Sequence, residues 1–202
     1  MKRTFNAVAG LTLAIATAAS AAHAQSRTNS RTATPVARSS SPITFGMGLG
    51  VSAPTSDMGN AVGTGLHVQG MGTYRMMSAP LAIRGELALH HFMDKDYNAG
   101  GNDWSAHANV LSLVGNMVYS FQTQQTVRPY VLGGLGWYRS SYSGEMSVFG
   151  ESESWNHTSN DLGLNVGGGI NFPMGTRNAF FEARFHSAGD THFVPLTFGV
   201  NF

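Results

Sequence analysis

From Ile43 onward, large apolar residues fall on every second position. Ile43, Phe45, Met47, Leu49 and Val51 alternate with Thr44, Gly46, Gly48, Gly50 and Ser52. A period of two places one set on each face of an extended chain, so this stretch predicts a strand with one apolar face. The pattern recurs around Leu66–Met76, Leu81–His90, Leu111–Phe121, Val127–Tyr138, Leu162–Phe172, Phe181–His186 and Val194–Phe202. In the fifth stretch, Gly133, Gly134 and Gly136 blur the two faces. The reading is eight strands of about ten residues each, the length a tilted strand needs to cross a bilayer.

The connections alternate in length. Met77–Pro80, Gln122–Thr126 and Pro173–Asn178 are short, whereas Ser52–Gly63, Asp94–Ala106 and Ser140–Asn160 are longer and polar. Ser187–Thr191 is the one short loop on the long side. Short turns on one side, long loops on the other and an even strand number are the plan of an outer-membrane barrel.

Composition separates that plan from a soluble sandwich or lipocalin-like barrel. Only 11% of the 202 residues are charged, 25 are glycine, and beyond residue 24 the sole lysine is Lys95. A water-facing polar face would be rich in Lys and Glu; this one is Gly, Ser, Thr and Asn with isolated charges. Arg75, Arg84, Glu86, Asp161, Glu182 and Arg184 all share the face opposite the large apolar residues. A charge facing lipid at mid-bilayer costs about 2–4 kcal/mol, which accounts for their placement. The fold class expected is all-β, an eight-stranded antiparallel up-and-down transmembrane β-barrel. A net charge of +1 argues against binding nucleic acid through bulk charge, and the lack of cysteine excludes disulfides and thiol chemistry.

The first residues read as an address. Lys2 and Arg3 precede a short apolar, Ala-rich run, and Ala22-His23-Ala24 sets small residues at the two positions a signal peptidase reads. Residues 1–24 are therefore expected to be a signal peptide, cleaved before Gln25. Residues 25–41 are polar with Arg27, Arg31 and Arg38, and are expected to form a disordered periplasmic linker. The barrel domain is placed at 42–202.

Three stretches carry a family resemblance: Arg128-Pro129-Tyr130-Val131-Leu132-Gly133-Gly134, Phe181-Glu182-Ala183-Arg184-Phe185-His186, and Phe193 to Phe202. Across Ile43 to Phe202 the chain resembles the small outer-membrane β-barrel proteins of the OmpA/OmpX type. That resemblance implies residence in a Gram-negative-type outer membrane among its lipids and lipopolysaccharide. It also implies that Phe198, Val200 and the terminal Phe202 form the assembly signal read by the barrel assembly machinery. It implies little about activity.

Candidate chemistry is sparse. His186 and Ser187 are adjacent, so an extended chain points them to opposite faces; the lipid A deacylase family spaces its His and Ser two apart. Asp94–Gly100 offers alternating oxygen ligands, but a calcium loop wants Gly sixth and Glu twelfth, where Ala99 and Ser105 stand. His90 and His91 also diverge, so no catalytic residue, metal site or cofactor is assigned. Glu145, Glu151 and Glu153 make an acidic patch in the longest loop, and Trp104, Trp137, Tyr138 and Trp155 are expected in an interfacial aromatic girdle.

The charges predict a plugged lumen. The third and seventh strands are four apart in a ring of eight and face each other. Arg84 should oppose Glu182, and Glu86 should oppose Arg184, with Arg75 joining the layer nearer the short turns. The expected role is structural or surface interaction, through envelope integrity, adhesion or ligand contact by the loops. The alternatives are a lipid-modifying enzyme at the barrel rim and a narrow channel. The ligand of the loops is not named by the sequence.

Overall fold

The computed structural model describes residues 42–202 apart from 77–78, 95–96, 100–101 and 149–150; for 97–99, 102–105, 145–148 and 151–153 it describes the backbone alone. The segments read as signal peptide and linker lie outside the described residues. The order of elements is β1 (Ile43–Pro54), α1 (Ser56–Ala61), β2 (Gly65–Arg75), β3 (Leu81–Phe92), β4 (Tyr97–Ala99), β5 (Asn102–Ser120), β6 (Arg128–Val148), β7 (Glu151–Met174), β8 (Arg177–Ala188) and β9 (Thr191–Asn201). β4 is a three-residue strand paired only with β5, and the eight long strands form the barrel. Each pairs antiparallel with the next, and β1 closes the ring on β9, from Gly46↔Asn201 to Pro54↔Phe193. Closure leaves no free edge in the ring of eight long strands, the condition for putting strands in lipid.

The two faces sort as the alternation predicts. Phe45, Leu49, Leu66, Leu87, Leu113, Leu135, Leu162 and Phe198 point outward and are exposed. Thr44, Ser52, Gln69, Arg84, Glu86, Asn116, Glu182 and Arg184 point inward and are buried. An inside-out distribution of this kind is stable only where the outer surface meets hydrocarbon.

The loops differ from the sequence reading. Ser140–Asn160 is not a loop: β6 and β7 stay paired from Arg128↔Asn171 to Val148↔Glu151. Most of Asp94–Ala106 is likewise taken up by β4 and the start of β5. Alternation ends there because both faces leave the apolar band, while Ser, Thr and Tyr still suit an extended backbone. At Ser187–Thr191 the connection shrinks to a two-residue turn, with Gly189 at φ 54°. We call the end bearing α1 and the β6–β7 ladder the hairpin end, and the other the short-turn end.

Candidate functional site

The inward side chains fill the barrel in layers. Above a small apolar cluster that includes Ala82 and Val118 at the short-turn end comes an ionic layer. Arg84 on β3 donates from Nη1 to Glu182 Oε2 on β8 at 2.7 Å, across the full width of the barrel. Tyr130 on β6 donates its hydroxyl to that same oxygen at 2.7 Å. Arg184 binds Glu86 through Nη2 and donates also to Gln69 Oε1 at 2.9 Å. Its Nε lies 3.0 Å from Glu182 Oε1, an ionic contact without hydrogen-bond geometry. Two arginines and two glutamates thus balance in charge, with the carboxylates 0% exposed. Charges so removed from water persist only when paired.

Glycine on β7 makes the room. A Cβ on Gly169 would meet Tyr130 Oη at 2.6 Å, and one on Gly167 would meet Arg184 Cγ at 2.5 Å. Large inward residues on β6 and β8 therefore face small ones on β7, which lets one barrel hold both arginines and Tyr130.

Toward the hairpin end follows a histidine layer. Ser52 Oγ lies 3.0 Å from His67 Nδ1 and 2.9 Å from His90 Nδ1. One hydroxyl proton serves only one of them, so the other ring must donate to Ser52, and the two histidines take opposite tautomers. His67 Nε2 is 2.9 Å from Thr197 Oγ1, and His186 Nδ1 is 2.8 Å from the Tyr138 hydroxyl. Above this layer is an apolar cap. Phe92 and Phe193 meet edge to face at 5.5 Å, and Met58 of α1 packs with Val62, Val110 and Ala188 in the same cluster.

A transmembrane barrel with an outward apolar band, an internally neutralised lumen and short turns at one end defines the architecture. Residues 9–201 match the family described as outer membrane protein beta-barrel domain. The chain belongs to that family. Among solved structures it is similar to Ail, the attachment invasion locus protein of Yersinia pestis, at 16% identity over 79% of this chain and 97% of that chain, with a TM-score of 0.48. It is also similar to Neisserial surface protein A, at 18% identity over 80% and 96% of the respective chains, TM-score 0.44. A third is a major outer membrane protein from Thermus thermophilus, at 15% identity over 79% and 98%, TM-score 0.49. No curated protein matches the chain.

Within this family barrel, several residues sit apart from their expected places. Arg75 is exposed at the end of β2, pairs with Ala82 and takes no part in the ionic layer. It lies two residues beyond Thr73, which is the partner of Arg84, and that step carries it to the mouth. Gln69 and Tyr130 join the layer instead; as neutral residues they give no charge signal. Tyr138 is not in an aromatic girdle: it is 0% exposed, in the lumen. Its neighbour Trp137 faces outward, and consecutive residues on a strand cannot share a face. Trp155 pairs with Gly144 high on the β6–β7 ladder, beyond the apolar band. The side chains of Trp104, Glu145, Glu151 and Glu153 lie outside the described ones.

At the rim, His186 and Ser187 diverge, as their adjacency on an extended chain predicts. His186 is buried in the lumen, whereas Ser187 sits on the opposite face. Among the described residues Ser52 is the serine that touches histidine, which sequence spacing could not reveal because register alone brings β1, β2 and β3 together. It is 0% exposed beneath the apolar cap, with the lumen carboxylates engaged by arginine. His90 faces in and His91 out. Asp94 Oδ1 lies 3.2 Å from His107 Nδ1, and among the described residues no three His, Asp or Glu side chains are placed to hold a metal ion.

Proposed function

We propose that this outer-membrane barrel carries no solute and works through its hairpin end, as a structural or surface-interaction protein of the cell envelope. The observation that carries this is the β6–β7 ladder. It runs beyond the last outward apolar residues, Trp137 and Leu162, to Val148↔Glu151, and so projects a polar two-stranded ribbon past the apolar band. A filled lumen supports the same reading. An eight-stranded barrel is only wide enough for its own side chains, and here ion pairs, histidines and an aromatic cap occupy it.

In this reading residues 1–24 direct secretion and are removed between Ala24 and Gln25, residues 25–41 remain periplasmic, and both ends of the mature chain face the periplasm. Phe198, Val200 and Phe202 present the terminal signal to the barrel assembly machinery. The hairpin end meets the exterior, beside lipopolysaccharide.

The absence of cysteine makes a direct test available. Ser154→Cys on β7 and Gln124→Cys in the β5–β6 turn place a single thiol at opposite ends. A membrane-impermeant maleimide on intact cells should label the first and spare the second. Labelling of Gln124→Cys alone would invert the orientation and remove the basis for a surface role.

A further inference from the structure

The outer wall carries a groove that the lumen does not explain. About 680 Å³ in volume, it lies across β2, β3, β5 and β6 near the hairpin end. Its floor is apolar and cross-strand: Val68 pairs with Leu89 and Leu89 with Leu111. The next residue in that row is Arg139, paired with Leu111 on β6. The row above it, one residue pair nearer the hairpin end, is polar from β3 onward, running Leu66, His91, Asn109 and Ser141.

Arg139 therefore points outward at the level where the apolar band stops. On its own strand Trp137 lies on the same face two residues below, and Ser141 two above. Among the described residues it has no ion-pair partner. On the adjoining rim the Asp94 carboxylate is engaged by His107. Asn109 is oriented by His91, whose Nδ1 is 2.7 Å from Asn109 Oδ1, so the amide keeps its N–H groups as donors. An outward arginine is costly at mid-bilayer and nearly free at the interface. There its guanidinium has five fixed donors suited to a phosphate.

We propose that this groove binds a phosphorylated glycolipid of the outer leaflet. Arg139 takes the phosphate, Asn109 and Ser141 donate to the headgroup, and an acyl chain lies over Leu66, Val68, Leu89 and Leu111. The choice of a glycolipid rests on the orientation proposed above; the phosphate chemistry does not. Charge complementarity and depth both point to this occupant: a cation with no ion-pair partner among the described residues ends the apolar row at headgroup height.

The test uses the folded barrel in detergent, so it is independent of orientation in cells. Native mass spectrometry would measure retention of bis-phosphorylated lipid A, of its dephosphorylated form and of phosphatidylglycerol. Wild type should retain lipid A in preference to both. Arg139→Gln should weaken that retention about tenfold, as loss of one charge-assisted contact predicts, and Arg139→Lys, which keeps the charge but not the fixed fork of donors, should restore part of it. Heat-dependent gel migration certifies that each variant is folded. Equal retention by wild type and Arg139→Gln would overturn the site. So would indifference to the phosphates, which would leave only an apolar surface, or a preference for phosphatidylglycerol. Failure of the cysteine-labelling experiment with retained lipid A preference would overturn the orientation and keep the site.

Discussion

Tyr130 and Arg84 converge on one oxygen, Oε2 of Glu182, each at 2.7 Å. The carboxylate is 0% exposed, so its charge is held by protein donors alone within the described structure. Tyr130→Phe removes one donor to a buried anion and should lower unfolding stability by about 1.5–3 kcal/mol. Urea titration of the refolded barrel measures it.

Removing a whole charge should cost more than removing a pair. Glu182→Leu leaves Arg84 without its partner and deprives Arg184 of one of its two carboxylates, an expected loss of about 3–5 kcal/mol. Adding Arg84→Met to Glu182→Leu removes the stranded cation and should recover part of that loss. Urea titration of wild type, both single variants and the double variant gives the coupling. A double variant as unstable as the sum of its singles would show that the pair is not coupled.

The glycines opposite the layer make a second claim about packing. Gly169→Ala would drive a methyl against the Phe181 backbone carbonyl on β8 and against Tyr130 Oη, the latter 2.6 Å from the ideal Cβ. Neither β7 backbone nor β6 can retreat without breaking a ladder, so overpacking should cost about 1–3 kcal/mol. Gly115 on the lipid face has nothing within 4 Å of its ideal Cβ. Gly115→Ala should therefore leave the urea midpoint nearly unchanged, which separates crowding from any general intolerance of alanine in these strands.

What the sequence discloses here follows from what repeats. Period-two alternation locates all eight barrel strands, because lipid outside and a crowded lumen inside impose opposite demands on successive residues. It places Arg84 opposite Glu182 as well, since strand count and distance from a turn fix both angle and depth. The same logic stops at Tyr138. Past it the two faces cease to differ in polarity, so the long β6–β7 ladder reads as a loop and Arg139 goes unassigned. Gln69, Tyr130 and the Ser52–His67–His90 contacts are hidden for another reason: they are neutral, and only barrel register brings them together.

The last residue offers a test of assembly apart from stability. The Phe202 amide donates to the Phe45 carbonyl at 2.8 Å, and the Arg177 guanidinium sits 4.4 Å from the centre of its ring. The ring is half exposed at the short-turn end and adds little to the buried interior. Deleting Phe202 should therefore lower the amount reaching the outer membrane several-fold, by quantitative blotting of membrane fractions. The refolded purified variant should lose only about 1 kcal/mol, roughly one cation–π contact and one hydrogen bond. An equal deficit in both measurements would make Phe202 a structural residue and not a signal.

An ionic layer and an aromatic cap fill the lumen in series, with the histidines between them, and this predicts how it could be opened. The ionic layer joins β3 to β8 across the barrel, while the cap is built from Phe92 and Phe193 over the histidines, with His186 stacked on Phe193 at 4.9 Å. Wild type should show no single-channel conductance in planar bilayers. Phe92→Ala with Phe193→Ala removes the cap but leaves Arg84, Arg184 and their carboxylates spanning the barrel, so it should stay silent. Arg184→Ala with Glu86→Ala empties part of the ionic layer but leaves the cap, and should stay silent as well. The fourfold variant thins both layers at once, leaving the histidines and the Arg84–Glu182 pair, and of the four proteins it alone should pass small ions. Conductance from the cap variant by itself would mean that the ion pairs do not seal the barrel.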